Sequence, residues 1–326
     1  MPPLSDHFDG RRFFNPGVDH ERSFGDFLRW RRMRKPALWP AHVENPVFAP
    51  PPDSVGASEI AVTAIGHATL LVQVAGFHLL TDPVFAERTG PFALGPRRVR
   101  APGVALDRLP RIDAVLLSHN HYDHMDLTSL RRLRDRWDPV IITGLENGRY
   151  LAKKRLHNSI ELDWWQSCEP RPGIKIRYVP AQHWSSRRVV DRRRMLWGGH
   201  VVEAAAGKVY FAGDTGYPAE FREITRRLGP PDIALLPIGS YEPRWFMAGQ
   251  HMNPDDAVRA HRDLGAGLSL AIHFATFHLT DEAIDAPVEA LAAALVEHNV
   301  TPDRFRVPGF GETLLWTRQS ASLAPA

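Results

Sequence analysis

Four side chains able to bind a metal stand within six consecutive positions, in Ser118-His119-Asn120-His121-Tyr122-Asp123-His124. Three imidazoles and a carboxylate packed this closely are costly in a core, because each needs a partner once buried. Imidazole nitrogen and carboxylate oxygen are also the ligands that zinc accepts without sulfur. A tight loop lets His119 and His121 face one metal while the adjacent Asp123-His124 pair turns to a second. A lone histidine is more often a satisfied structural residue; four such groups together point to a metal site.

So dense a set should be completed from elsewhere, and three residues share one placement. His183 follows the apolar run 174–179, Asp214 follows Val209-Tyr210-Phe211, and His273 ends the run that starts at Leu268. Each sits at the C-terminal tip of an apolar strand, the edge where functional groups gather in α/β folds. Taken alone, Gly213-Asp214-Thr215-Gly216 reads as a turn. The shared placement favours a metal ligand.

The elements that must hold these groups are short apolar runs broken by turns. Residues 60–65, 70–74, 78–81, 114–117, 140–143, 174–179, 209–212, 233–238 and 268–274 read as strands of buried sheets. Leu127, Leu130 and Leu133 fall at helical spacing. Asn253-Pro254-Asp255-Asp256 is a helix start, with a cap, a proline in the first turn and two acids at the positive end of the dipole. Strands with interspersed helices predict a layered α/β domain. It is expected to span residues 58–326. Residues 1–57, rich in arginine and aromatics and closed by the proline-laden stretch 46–52, are expected to form an arm packed on that domain. A basic amphipathic surface for anionic lipid or a partner subunit is the alternative for the arm.

Composition narrows the class. At 44% hydrophobic residues and a net charge of +3, the chain can bury a large core and is not disordered. Cys168 is the single cysteine, which excludes a disulfide framework or a cysteine-rich zinc finger and fits a reducing compartment. The N-terminus lacks the charged start and apolar run of a signal peptide, and no stretch is apolar for long enough to cross a membrane. A cytoplasmic protein, peripheral on a membrane at most, is the expectation. Nucleic acid is not expected despite a pI near 9.2, because no binding signature accompanies the charge. The arginine pairs and triplets at 97–98, 187–188 and 192–194, and Asp53, read as solvated surface.

The order His-x-His-x-Asp-His, then His, Asp and His, resembles the metallo-β-lactamase superfamily. More narrowly, the chain is similar to the N-acyl-phosphatidylethanolamine-hydrolysing phospholipase D family, bacterial members included. The likeness rests on Gly66-His67-Ala68-Thr69, Leu80-Thr81-Asp82-Pro83-Val84-Phe85, the 112–124 segment, Pro180-Ala181-Gln182-His183-Trp184, Leu196-Trp197-Gly198-Gly199, Gly213-Asp214-Thr215-Gly216, His251-Met252-Asn253-Pro254 and Ile272-His273-Phe274. His7-Phe8-Asp9-Gly10 and Phe13-Phe14-Asn15-Pro16 extend it almost to the start. The resemblance implies an αββα four-layer sandwich of two mixed sheets and two Zn2+ ions, which iron or manganese could replace. It places His119, His121, His183 and Asp214 on the first metal. Asp123, His124, Asp214 and His273 fall on the second, with Asp214 between them. It further implies hydrolysis of the phosphodiester on the ethanolamine side, by hydroxide bridging the metals, to phosphatidic acid and an N-acylethanolamine.

Asp123, Asp214 and His251 are accordingly the expected catalytic residues. His251, ahead of the helix at Asn253, and Gln250 are the expected substrate contacts. Asp82 and His67 are expected to orient ligands from behind. The partners expected are a phospholipid or another phosphodiester, a membrane surface, and a second copy of the chain in a homodimer. Phe274-Ala275-Thr276 replaces the Trp-Gly that animal members favour after the last histidine, and Ser185 stands where some carry Cys. Both changes alter the pocket wall and spare the ligands. A dinuclear zinc hydrolase of a lactone or non-lipid phosphodiester is the alternative function, since the same metals polarise a carbonyl equally well.

Overall fold

Side chains alternate across each strand, and one inner strand of each sheet shows what that alternation builds. A computed structural model describes residues 4–18, 23–188 and 190–317; the arm's residues 1–3 and 19–22 and the tail 318–326 lie outside the described residues. Among the described residues, fourteen strands form two seven-stranded sheets. The first sheet holds β1 (Glu59–Gly66), β2 (Thr69–Val74), β3 (Phe77–Thr81), β4 (Ala114–Leu117), β5 (Val140–Gly144), β6 (Ser159–Leu162) and β14 (Thr313–Thr317), in the order β14-β1-β2-β3-β4-β5-β6. The second holds β7 (Ser167–Arg171), β8 (Ile174–Val179), β9 (Gly199–Ala204), β10 (Gly207–Phe211), β11 (Ile233–Pro237), β12 (Leu268–Ile272) and β13 (Phe305–Arg306), in the order β13-β12-β11-β10-β9-β8-β7. Each sheet is mixed. The β3 to β6 strands run parallel, as do β10 to β13, and the remaining neighbours are antiparallel.

Ala114 and Leu116 of β4 face Ile233 and Leu235 of β11 in a common core between the sheets. Val115 and Leu117 point the other way, under Leu130 and Leu133 of helix α2 (Leu127–Trp137). On the far side, Ala234 and Leu236 lie under three helices. These are α4 (Glu220–Leu228), α6 (Pro254–Leu264) and α7 (Ala286–Glu297). The result is an αββα sandwich with three apolar layers. Burial on both faces explains why the strands read as continuous apolar runs. Short helices α3 (Asn147–Ala152) and α5 (Arg244–Met247) complete the set, with α1 (Phe24–Met33) in the N-terminal segment.

The N-terminal segment is held at several points. Ser23 caps α1 through a reciprocal capping box with Asp26. Trp30 stacks on Phe246 with ring centroids 5.3 Å apart, and Arg34 Nε donates to Asp281 Oδ1 at 3.1 Å. Further upstream, the His7 ring stacks on Trp164 between Asp163 and Asp6, 2.7 and 2.6 Å from their carboxylates.

Burial lowers the His7 pKa, but the two carboxylates outweigh it and raise the value above 6.5. A raised folded-state pKa contributes stability that is full below the unfolded value and is lost as pH rises through the folded one. Thermal melts at about pH 6 and about pH 8.5 should therefore show a loss of stability that His7→Gln reduces. Equal pH dependence in the two proteins would show that the ring contributes none of it.

Candidate metal centre

The tips of five strands converge at one edge of the sandwich. β4 ends at Leu117 and releases the loop with His119, His121, Asp123 and His124, which His121 closes by accepting the Met125 N–H at 2.8 Å. His183 follows β8, Asp214 follows β10 and Asp82 follows β3. β12 stops at Ile272, one residue before the sequence-expected ligand and short of the 268–274 run. His273 then leaves the strand with φ 60°, and His67 and Asp82 also adopt positive φ, 54° and 27°. Such left-handed backbone is costly for residues other than glycine and gathers where function demands a fixed side-chain direction.

Two clusters result. His119 Nε2 lies 2.8 Å from His121 Nδ1, which is 3.2 Å from His183 Nε2. Asp214 Oδ2 stands 3.9 and 3.8 Å from the His119 and His183 nitrogens. Next to them, His124 Nε2 and His273 Nε2 lie 3.5 and 3.4 Å from Asp123 Oδ2. Asp214 reaches this pair too, with Oδ2 3.1 Å from His124 and Oδ1 3.2 Å from His273. Four ligands about 2.0–2.1 Å from one metal in a tetrahedron sit roughly 3.3 Å apart, and the separations observed, 2.8 to 3.9 Å, bracket that value. Asp214 is the residue that faces both groups.

Hydrogen bonding behind the ligands leaves lone pairs pointing inward. His124 Nδ1 donates to Asp82 Oδ2 at 2.6 Å, and His183 Nδ1 donates to the Gln250 carbonyl at 2.9 Å. The opposite ring nitrogen of His183 is then a bare lone pair, and that of His124 becomes one once its proton is lost. His124 Nε2, His273 Nε2 and Asp214 Oδ1 are buried with no hydrogen-bond partner. Orphaned polar atoms of this kind are expensive unless something completes them. Divalent cations would complete them, and the residues fit that role.

Electrostatics agrees. Burial, then neighbouring imidazoles, holds His119 and His121 well below the usual histidine value, and burial pushes His183 down to about 4. Burial alone raises Asp123 and Asp214, but the imidazoles around them reverse this and keep both ionised. His124 differs: burial lowers it, yet Asp214, Asp123 and Asp82 together raise it well above the ordinary value. Neutral rings and ionised carboxylates are in the form a metal requires, and a metal bound there would displace the His124 proton.

The remaining sequence-singled residues fall around this core. Asp82 is fully buried and also accepts from Ser118 N–H and Oγ–H at 2.7 and 2.5 Å. His67 Nε2 lies 3.1 Å from Asp123 Oδ2, and burial pushes its pKa to about 3. His251 Nδ1 is 3.9 Å from Asp214 Oδ2, while the Gln250 side chain lines the adjoining cavity. Asp53 is exposed.

The reading of the arginine runs as solvated surface is wrong for Arg98, Arg187 and Arg192; Arg192 lies 4.9 Å over the Trp184 ring in the wall of a large cavity beside the ligands. Arg187 Nη1 donates to the carbonyls of Asn120 and Met125, 2.9 and 2.7 Å away, and its guanidinium stacks 4.0 Å over the Tyr122 ring. It clamps the ligand loop from outside. Arg98 donates to Val84 and Ala86 carbonyls, lies over Phe277, and is lowered to about 10 by burial. Phe277 in turn meets His67 edge-on. Only the tertiary fold delivers the carbonyls that draw Arg187 and Arg98 inward.

A layered α/β sandwich with paired His/Asp clusters at one sheet edge defines a class of metal-site proteins. Residues 78–274 match the β-lactamase superfamily domain, and the chain belongs to that superfamily. It is 39% identical over 232 residues to N-acyl-phosphatidylethanolamine-hydrolyzing phospholipase D 1 of Caenorhabditis elegans, covering 68% of this chain and 65% of that one. The mitochondrial N-acyl-phosphatidylethanolamine-hydrolyzing phospholipase D of Saccharomyces cerevisiae is 34% identical over 244 residues, 73% of this chain and 52% of its own. The chain thus spans about two thirds or less of the length of these relatives. Among solved structures, isothiocyanate hydrolase from Delia radicum gut bacteria superposes with a TM-score of 0.63 at 25% identity, covering 79% of this chain and 99% of that one.

Proposed function

We propose that the protein is a metal-dependent phosphodiesterase that cleaves N-acyl-phosphatidylethanolamine on the ethanolamine side, releasing phosphatidic acid and an N-acylethanolamine. The observation that carries this reading is a cavity of about 540 Å³ that opens onto His121, Asp123 and Asp214. Its volume suits a drug-sized or headgroup-sized ligand. Its lining also carries apolar and aromatic side chains, Phe27 and Trp30 of α1, Trp184, Phe246 and Leu279, together with Arg192. Metal ligands and a cation beside an apolar lining suit an amphiphile. The names of the nematode and yeast relatives support the same substrate.

His119, His121, His183 and Asp214 would hold one ion, and Asp123, His124, Asp214 and His273 the other. Zinc suits the donor set, and iron or manganese is compatible with it. Bound there, the ions supply Lewis acidity and an acidified water. His251 contributes separately. Burial pushes its pKa to about 3, so the ring is neutral, and its Nδ1 has no hydrogen-bond partner. Lying beside Asp214 in the cavity wall, it is placed to hydrogen-bond a phosphate oxygen or the departing alcohol. His251→Ala should retain metal and lower turnover on the order of 10²-fold. Wild-type turnover in that variant would remove the ring from the chemistry.

A peripheral membrane approach fits the cavity rim. There α1 carries Arg29, Arg31 and Arg32, with Leu28 and Met33 about half exposed. No helix among the described residues is long and apolar enough to cross a membrane. The test is to incubate zinc-loaded protein with N-acyl-phosphatidylethanolamine in mixed micelles and identify products by mass spectrometry beside a chelated control. Chelator-sensitive release of N-acylethanolamine, faster on anionic vesicles, supports the reading. Turnover of a soluble lactone or phosphodiester, with no lipid product, favours the alternative function.

A further inference from the structure

A second cavity, of about 340 Å³, lies between α3 and the 188–195 segment and shares no lining residue with the cavity over the metal ligands. Its wall carries four cations, Arg149, Lys153, Arg188 and Arg194, against two carboxylates, Glu146 and Asp191. Both carboxylates are already engaged. Glu146 faces Arg149 at 3.4 Å. Asp191 Oδ1 accepts the backbone N–H groups of Arg187 and Arg188 at 2.9 and 2.8 Å and the Ser186 hydroxyl at 3.2 Å, which holds the turn and leaves one negative charge against the three free cations. Lys153, Arg188 and Arg194 have no side-chain hydrogen bond or ion pair with any described residue.

Lys153, Arg188 and Arg194 are exposed cations without an ion-pair partner among the described residues, gathered around one concavity, where they repel one another until an anion binds. The sequence alone makes Arg188 and Arg194 part of a solvated basic run. The fold instead gathers them across a hollow from Lys153, which comes from another element. Guanidinium groups offer forked donors that match phosphate oxygens, and a lysine adds a mobile point charge.

We propose that this cavity is a second anion site, distinct from the metal centre, which binds a phosphate group carrying two negative charges. The group could belong to a free phosphate or to a lipid headgroup; the recognising chemistry is the same. The site does not depend on the catalytic reading, because it shares no lining residue with the cavity over the metal ligands.

The test uses full-length, metal-loaded protein at low salt, in two arms. In one, inorganic phosphate is titrated calorimetrically into the wild type, the double variant Arg188→Ser/Arg194→Ser, and Lys153→Ala. In the other, the same proteins are sedimented with phosphatidylcholine vesicles with and without phosphatidic acid. Metal content and melting temperature, expected to be unchanged, are measured on every sample. Phosphate binding at the metal centre is common to all three proteins, so only a difference between them reports on the second cavity. The expected result is at least a tenfold loss of affinity in the double variant and a smaller loss in Lys153→Ala. A loss confined to phosphate assigns a free ligand, and a loss confined to phosphatidic acid vesicles assigns a headgroup. Either supports the site. Unchanged binding by the double variant in both arms would overturn it.

Discussion

Asp214→Asn should leave the sandwich folded while the protein loses the ability to hold a metal pair, and turnover should fall on the order of 10³-fold or more. The substitution keeps the shape of a buried side chain whose two oxygens lie 3.1 and 3.2 Å from His124 and His273. It removes the charge that faces both clusters and replaces one oxygen by an amide that can only donate. Each cluster then keeps three protein ligands, but nothing joins them. Elemental analysis of the purified variant beside the wild type measures the loss directly. Circular dichroism separates it from unfolding. Metal content and turnover equal to the wild type would show that Asp214 does not bridge.

Asp82→Ala should produce the largest stability effect among residues that touch no metal. The carboxylate is fully buried and accepts three hydrogen bonds, from Ser118 N–H, Ser118 Oγ–H and His124 Nδ1. Alanine strands all three donors, and removing one partner of a buried charged pair typically costs about 3–5 kcal/mol. Melting temperature should fall on the order of 10 °C. Metal affinity should fall roughly 10–100-fold, because His124 loses the group that fixes its ring and tautomer. Asp82→Asn, which keeps the volume and one acceptor, should recover most of the stability while metal affinity stays reduced. If both variants bind metal like the wild type, His124 is oriented by its packing alone.

Much of this architecture was legible because the physics that builds it is local. Strands buried on both faces must be apolar throughout, so β4, β11 and β12 announce themselves, and ligands at their tips stand out against that background. Asn253 with Pro254 and Asp256 marks the start of α6, where the reciprocal cap forms. Edge strands leave a weaker trace. β7, Ser167-Cys168-Glu169-Pro170-Arg171, has no apolar alternation and contains a proline, which only an edge tolerates. β9 was hidden differently: Gly199-His200 opens it, and His200 is buried between the sheets with Nε2 3.1 Å from the Ile142 carbonyl. Arg187 could not be separated from its neighbours in a basic run, because its burial depends on Asn120 and Met125 carbonyls that the fold brings from 60 or more positions away. The cavity wall was equally out of reach, since it joins Trp30 from the N-terminal segment to Phe246.

Two metals shared through Asp214 would make one catalytic centre. Metal-free protein titrated with zinc, with bound metal per chain and N-acylethanolamine release followed in the same samples, tests it most directly. Activity should stay near background through the first equivalent and rise as the second binds, saturating at two ions per chain. Full turnover with one ion bound, or with none in the presence of chelator, would contradict the paired centre.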